Sequence, residues 1–469
     1  MDTNPRVLAL AQTCYGKILI YAGFVLALLA GRQLSLAASA LIALTVAACI
    51  AAPHRKLIVM AVSGAVYFCL RPYRTQQQIE FSERVYPVEF AIAELPALAS
   101  YTPLAIAFLA VFYVVGRLAS CYPRALPVRR SFISQTVVFF ALLVVGGALS
   151  PATASYGLIW SLIVMIAASF FFLAYGMADI RGQGDVRTAI HVGFVRPFWS
   201  GPSIPFKGLS YLRKFEAHEP AELAAVRLRA LKLIVWATML ACVCRMLEAG
   251  AYDMVGLPTL QQAIADTAGA SSYGIALSWT VLIKAFLLNV ISLGALVHTL
   301  VAVIRMCGYG IPRGMARPLT ARSIAEFWNR YLFYFKELLV DFFFYPAFVR
   351  FFKKWPRLRI AFATFCAAFV GNMIFSILSQ VHLFADIGPL KTLAMFDSYA
   401  VYALALTVAL IASQLASRRP RPEDGVLRYE ILPRVTVIGF FCVAQIFSDE
   451  GAHTSLAERT GFLLHLLGA

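Results

Sequence analysis

The chain has 469 residues, of which 60% are hydrophobic and 14% are charged, and its formal net charge is +17 at pH 7. Soluble domains have about 45–50% apolar and about 25% charged residues, so this composition excludes a soluble globular protein. We interpret residues 1–469 as a single integral membrane domain. The charge does not indicate a nucleic-acid partner, because Lys and Arg lie mostly in short loops between apolar runs, as the positive-inside rule describes.

Apolar runs recur along the whole chain, and a membrane span needs about 20 mostly apolar residues. The runs lie near residues 17–31, 34–52, 57–70, 102–118, 132–149, 157–178, 230–248, 274–306, 358–380, 396–416 and 433–447. They predict an all-α, polytopic transmembrane bundle of about 10–12 spans. Lys17 precedes the first run and no small-residue cleavage site follows it, which favours a signal anchor that stays in the protein.

The stretch at 333–349 is apolar and aromatic, but it is interrupted by Lys336, Glu337 and Asp341. Three charged side chains within two helical turns would be energetically unfavourable in a span that faces lipid. The stretch therefore predicts an interfacial or re-entrant element rather than a clean span.

Basic loops set the expected topology. Loops rich in Arg and Lys, which we assign to the cytoplasm, lie at 71–74, 124–130, 207–232, 305–322, 350–359 and 418–421. The loop at 249–272 contains Asp253 and Asp266 but no Lys or Arg, so we place it outside. One conflict remains: two basic loops flank a single obvious span between 71 and 130, so either 85–100 dips into the membrane or one loop is wrongly assigned.

Cysteine and histidine spacing gives no sign of a disulfide framework or a metal site. The nine cysteines are odd in number and form no Cys-x-x-Cys pair. Metal-ligand spacing is also absent from His54, His191, His218, His453 and His465. We expect no metal and no bound cofactor.

Two blocks of sequence resemble the membrane-bound O-acyltransferase (MBOAT) family. The stronger is GYGIPRGMARPLTARSIAEFWNRY at 308–331, here called the signature segment, followed by Tyr345 and Pro346. The weaker is PFWSGP at 197–202, similar to the family's Pro-x-x-x-Gly-Pro element. Together the blocks cover about 190–385, and they are most similar to the bacterial polysaccharide (alginate-type) O-acetyltransferase branch.

The resemblance implies a helical bundle with a funnel or tunnel at the signature helices, in a bacterial inner (plasma) membrane. It implies an acyl thioester such as acyl-CoA as co-substrate. The family places an Asp on the helix before the signature, where this chain has His298, and a polar residue where it has Leu332. The family's invariant His corresponds to Asn372, or, with a shift of register, to His382.

The resemblance suggests separate catalytic roles for the His and Asn side chains at these positions. An acceptor hydroxyl needs a base to take its proton, and imidazole has the side-chain pKa nearest neutrality. We therefore assign the base to His298, with His382 as the alternative, and hydrogen-bond donation to a developing oxyanion to Asn372. The competing interpretations are a neutral His298 bonded to another helix, an Asn372 that joins helices, and a solvent-exposed His382 at a helix end.

A polar and aromatic cluster at a membrane boundary is the candidate site for the acyl donor or the acceptor. Its members are Glu326, Trp328, Asn329, Arg330 and Arg322. A guanidinium can bind two phosphate oxygens at once, so Arg313, Arg317 and Arg322 could line a cytoplasmic mouth for coenzyme A. The competing interpretation is a set of interfacial anchors and topology signals.

Three functions are consistent with these patterns. The first is transfer of an acyl group, most simply acetyl, from a cytoplasmic thioester to a hydroxyl of a glycan, a lipid or a secreted small molecule. The second is a catalytically inactive protein of this fold that binds substrate or passes it to a partner protein of the same pathway. The third is a transporter, which ranks last because no internal repeat is visible.

Overall fold

The computed structural model describes residues 4–86, 101–182, 187–200, 204–269, 273–416, 423, 425–449 and 454–468. The structure is 80% helical, and its described residues contain no β-strand, only an isolated antiparallel bridge between Glu216 and Tyr309. The predicted all-α, polytopic helical class is confirmed. Apolar runs form helices here because a helix satisfies every backbone polar group within the segment.

The first half of the chain combines short helices with long apolar ones. Its helices are α1 (Pro5–Gln12), α2 (Cys14–Gly31), α3 (Leu36–Ala51), α4 (Lys56–Leu70), α5 (Gln76–Val85), α6 (Thr102–Cys121), α7 (Leu126–Arg129), α8 (Ser131–Ala148), α9 (Ala154–Arg181), α10 (Thr188–Val192), α11 (Leu209–Arg213) and α12 (Pro220–Glu248). Short 3₁₀ turns lie at Pro53–Arg55 and Phe198–Ser200.

The second half is more broken. Its helices are α13 (Leu260–Ala268), α14 (Ile275–Met306), α15 (Ile324–Tyr331), α16 (Phe333–Leu339), α17 (Tyr345–Arg350), α18 (Pro356–Phe365), α19 (Asn372–Ser379), α20 (Leu383–Asp386), α21 (Pro389–Ala394), α22 (Asp397–Leu415), α23 (Leu432–Ala444) and α24 (Leu456–Leu466). Further 3₁₀ turns lie at Pro318–Thr320 and Gln445–Phe447. Wider π-helical turns lie at Ala249–Met254, Val340–Phe344, Cys366–Gly371 and Leu427–Ile431.

Within the described ranges, 9 helices are long and apolar enough to cross a membrane. Counting Leu36–Ala51 with Pro53–Leu70 as one bent span raises the number to 10, the lower end of the expected range. The two helices meet at 115°, because Pro53 begins the second one and restricts Ala52 before it to a non-helical conformation. The chain is thus a multi-pass membrane protein by its helices.

The described residues form two compact units. Unit 1 comprises Met1–Trp236, His298–Pro312 and Leu378–Gly388, and unit 2 comprises Ala237–Val297, Arg313–Ile377 and Pro389–Ala469. Both units contain helices that are long and apolar enough to cross a membrane. The single integral membrane domain expected from the sequence stays a prediction.

The core of unit 1 is built around α9. This helix is hydrophobic on all sides, and 78% of its most apolar 18-residue stretch is buried, as expected of a helix surrounded by others. It packs against α5, α6 and α8. In unit 2 the π-helical turns at Val340–Phe344 and Cys366–Gly371 pack against each other, and α22 covers the second of them.

Candidate functional site

From Arg313 onward the signature segment lies in unit 2, where the loop before α15 folds back on this last helix of the segment. The backbone N–H of Ala316 donates to the carbonyl of Arg330 at 2.8 Å, and that of Phe333 donates to Gly314 at 3.0 Å. Arg317 adopts a left-handed conformation with φ of 50°, which turns the chain between these contacts. The loop before α15 is therefore fixed to the end of α15.

Five polar residues of the signature segment form one hydrogen-bond network. Ser323 caps α15 by accepting from the N–H of Glu326 at 3.1 Å. Glu326 accepts from Arg330 Nη2 at 2.5 Å and from the N–H of Arg322 at 2.7 Å. Arg330 also donates through Nη1 to Thr320 Oγ1 at 2.6 Å. The Glu326 carboxylate and the Arg330 guanidinium thus hold the loop in place.

The Arg322 side chain faces a different element of unit 2. Its guanidinium lies 4.3 Å from the centre of the Tyr429 ring, and its Nη1 is 3.3 Å from Glu430 Oε1. The pair is partly exposed, so it contributes little to stability. An anionic ligand can therefore reach the Arg322 guanidinium, and it would displace only the weak ion pair with Glu430.

A cavity of about 210 Å³, here called the unit 2 cavity, lies beside α15. It is lined by residues of α15–α18, α22 and both packed π-helical turns: Ala325, Trp328, Asn329, Lys336, Leu339, Val340, Phe344, Tyr345, Thr364, Ala367, Ala368, Leu410 and Gln414. Trp328 is buried whereas Asn329 is exposed, so the pair reaches from the interior of unit 2 to its surface. Thr364 donates to Gln414 Oε1 at 2.7 Å and gives the wall a polar patch.

The two π-helical turns meet at Gly371. An added Cβ there would lie 2.7 Å from Phe343 Cδ2 and 2.9 Å from Leu339 Cδ2. The contact therefore requires glycine. π-helical turns inside α-helices are rare and are frequent at functional sites, and here two of them contribute to one cavity.

Asn372 follows the second π-helical turn directly and is 1% exposed. The Tyr399 hydroxyl donates to its Oδ1 at 3.0 Å. Its Nδ2 is buried and has no hydrogen-bond partner within the part of the chain that the structure describes. A buried donor without a partner is costly, and it is available to an oxygen that enters the site.

The two candidate bases lie in unit 1 rather than unit 2. His298 is buried on α14, as its apolar context predicts. His382 is only 4% exposed, so the expectation that it faces solvent at a helix end is wrong. The chain continues into α20 after it, and Phe81 covers the imidazole with ring centres 5.9 Å apart.

Burial lowers the pKa of His382 below its ordinary value of 6.5. The nearby Asp386 carboxylate opposes that shift and the Arg84 guanidinium adds to it, while these two groups pair with each other. The imidazole Nδ1 has no hydrogen-bond partner among the described residues. His382 is accordingly a neutral imidazole with one unengaged nitrogen.

The weaker block is described only from Pro197 to Ser200, since Gly201 and Pro202 lie outside the described residues. Trp199 is buried against Phe194 and Phe198, with ring centres 5.8 Å and 4.8 Å apart. Burial lowers the pKa of the neighbouring Arg196 to about 10, and its guanidinium donates to the Arg71 carbonyl. This block packs the interior of unit 1.

The structure therefore distributes the candidates over both units. Unit 2 holds Asn372 and the cluster of Glu326, Trp328, Asn329, Arg330 and Arg322, whereas unit 1 holds His298 and His382. Sequence reasoning missed Tyr399, Thr364 and Gln414. For Thr364 and Gln414 the available signal was a polar residue within an apolar span, whereas a Tyr in an apolar run gives no such signal.

The described residues contain no group of three or more His, Cys, Asp or Glu placed to hold a metal ion. No family model matches the chain. No protein among the curated sequences matches it either.

Proposed function

We propose that the chain is a membrane-bound O-acyltransferase of the bacterial inner membrane. It moves an acyl group, most simply acetyl, from a cytoplasmic acyl thioester to a hydroxyl of a glycan, a lipid or a secreted small molecule. The observation that carries the proposal is Asn372: a buried amide whose oxygen is held by Tyr399 and whose Nδ2 is unengaged.

The reaction needs a donor at the point where negative charge develops. When a hydroxyl attacks the thioester carbonyl, the carbonyl oxygen becomes an oxyanion, which a fixed N–H donor stabilises more in the transition state than in the ground state. Removing one such donor typically costs about 10²- to 10³-fold in rate. Asn372 Nδ2 has the chemistry of this donor.

The proton of the attacking hydroxyl goes to a base. A new C–O bond forms, the C–S bond breaks, and the thiolate leaves and takes up the proton that the base received. We assign the base to His298 and, as the alternative, to His382, whose Nδ1 accepts no hydrogen bond from the described residues. The donor or acceptor contacts Trp328 and Asn329, which line the unit 2 cavity. We assign the phosphates of the donor to Arg322, which lies outside this lining.

The test uses membranes that contain the wild type or one variant, supplied with radiolabelled acetyl-coenzyme A. Asn372→Ala should lower the rate at least about 100-fold with little change in KM, because the amide acts on the transition state. Either His298→Ala or His382→Ala should abolish transfer and so identify the base. Gly439→Ala, where a Cβ meets no atom of the described residues within 4 Å, is the matched control. Equal activity in all variants would contradict these roles.

A second candidate function is a non-catalytic protein that binds the same ligands for a partner. The amide at Asn372 favours it, since an amide cannot accept the acceptor's proton. Glu326 and Arg330 also engage each other rather than standing ready for a ligand. Binding of acetyl-coenzyme A by the purified wild type without any transfer, in the presence of glycan and lipid acceptors, would establish this function in place of the first.

A further inference from the structure

Unit 1 contains a second cavity, of about 490 Å³, here called the basic cavity. It lies where several helices begin or end: the end of α1, the start of α2, the junction of α3 and α4, and the start of α12. Its charged and titratable lining residues are Lys17, Lys56, Arg227, His54, His218 and Glu216. Three cations thus face one carboxylate, and the proposed function assigns none of them.

The single carboxylate is already engaged. Lys56 is 3% exposed, and its Nζ lies 3.3 Å from Glu216 Oε1 and donates to the Ala217 carbonyl at 2.5 Å. The same ammonium sits 5.3 Å from the centre of the Tyr309 ring. Glu216 therefore balances Lys56 and leaves the other two cations of the cavity without a counter-charge.

Arg227 is the unbalanced cation in the interior. It is 4% exposed, and it donates through Nε to the Met306 carbonyl at 3.4 Å and through Nη2 to the Cys49 carbonyl at 3.3 Å. Among the described residues Arg227 forms no ion pair, and its Nη1 donates to none of them. A buried charge without a counter-charge is costly, so an anion in the cavity would stabilise this arrangement.

The start of α12 adds to the positive potential. Pro220, Leu223 and Ala224, in the first turns of this long helix, line the cavity. The N-terminus of a helix carries a partial positive charge and free N–H groups. Glu222 already accepts from the N–H of His218 at 3.1 Å, so the helix end supplements the side chains and does not define the site.

We propose that the basic cavity binds a phosphate group. The Nη1 group of Arg227, a second cation and a helix N-terminus together fit the several oxygens of a phosphate. The cavity lies at helix ends, beside the segment at 207–219 that carries Lys207, Arg213 and Lys214. The phosphate therefore belongs either to the headgroup of a bilayer phospholipid or to a soluble phosphate ester. The inference is independent of the acyl-transfer proposal.

Two probes distinguish these sources. The purified full chain in neutral detergent is titrated with inorganic pyrophosphate at constant ionic strength, or with dioleoylphosphatidylglycerol against phosphate-free dioleoylglycerol. A saturable rise of the thermal midpoint is expected with one probe. Pyrophosphate as the stabilising probe identifies a soluble ester, and the phospholipid identifies a headgroup.

Matched variants locate the binding. Lys17 is half-buried, so Lys17→Gln should not impair folding. We expect Lys17→Gln to lower the affinity for the stabilising probe at least about tenfold and Arg227→Gln to abolish its binding. Each substitution removes a charge-assisted hydrogen bond to the phosphate. Arg229→Gln removes a charge from the same helix at an exposed position outside the cavity lining, and should leave the affinity unchanged. Failure of both probes to bind saturably, or equal weakening by Arg229→Gln and Lys17→Gln, would overturn the proposal.

Discussion

At the scale of single residues, the pair of Asn372 and Tyr399 matters most. The sequence indicates Asn372, because an amide inside an apolar span is unusual. It does not indicate Tyr399, because a Tyr in an apolar run is usually an interfacial anchor or a packing residue, and one sequence does not say which helices face each other. The hydroxyl fixes the amide oxygen, and therefore also sets the direction of Nδ2.

Replacing Tyr399 by Phe should affect both stability and transfer. The change leaves Asn372 Oδ1 buried without its donor, so the free energy of unfolding should fall by about 1–3 kcal/mol. Acetyl transfer should also fall, because the amide is no longer oriented. Thermal unfolding and transfer by the purified variant measure the two effects. Tyr402→Phe is the control. Tyr402 lies one turn further along α22, and its hydroxyl forms no hydrogen bond to the described residues. Equal losses of stability and transfer in the two variants would contradict this role of Tyr399.

His382 should make the stability depend on pH. Burial lowers its pKa in the folded protein below the ordinary value of 6.5, so the unfolded chain takes up a proton first as the pH falls. The contribution to stability is therefore present above pH 6.5 and is lost as the pH falls toward the folded pKa. Unfolding measured at pH 7.5 and pH 5.5 should show a smaller loss for His382→Asn than for the wild type. The same loss in both proteins would exclude His382 as the source.

At the scale of elements, the packed π-helical turns distinguish unit 2. Apolar periodicity identifies α18 and α19 as one span near 358–380, but it cannot separate an α-helical from a π-helical turn within it. The wider turn packs Gly371 closely against Phe343 and Leu339, which belong to other elements. A single sequence does not predict such a contact between distant segments. The interruption at 333–349 was visible from its charges, and its helices are not among the span candidates.

Gly371→Ala should disrupt this contact. The new methyl group would overlap the ring of Phe343 and the side chain of Leu339, and overpacking of a core typically costs about 1–3 kcal/mol. Gly439→Ala, in the exposed interior of α23, should instead stabilise by roughly 0.5–1 kcal/mol through helix propensity. Thermal unfolding of both variants tests this, and a stabilised Gly371→Ala would show that the turns are not tightly packed.

At the scale of the whole molecule, hydropathy predicted the helical membrane class because bilayer thickness fixes how long a span must be. It counted the runs at 34–52 and 57–70 as two spans, whereas the chain bends between them at Pro53. The sequence did not predict the two units, because each unit is formed by segments that lie far apart in the chain. Most of the segment at 85–100, for which entry into the membrane was one of the two predicted alternatives, lies outside the described residues.

The expected topology can be checked across two spans. Residues 220–232 of the expected basic loop belong to α12, which therefore separates the segment at 207–219, with Lys207, Arg213 and Lys214, from the acidic loop at 249–272. Helix α14 leads back to the basic signature segment. In a variant without native cysteines, Asp253→Cys should react with a membrane-impermeant maleimide in intact cells. Arg313→Cys should react only after the membrane is opened. Reaction of both positions from the same side would reject the assignment.

Acyl transfer by the wild-type chain is the first activity to measure. Membranes with and without the chain receive radiolabelled acetyl-coenzyme A and extracts that contain glycans, lipids and small hydroxyl compounds. If the chain is an acyltransferase, a labelled product should form only in membranes that contain the chain, and mild alkali should release the label as acetate, as expected of an ester. An absence of labelled ester, with saturable binding of acetyl-coenzyme A intact, would contradict the claim and establish the non-catalytic function.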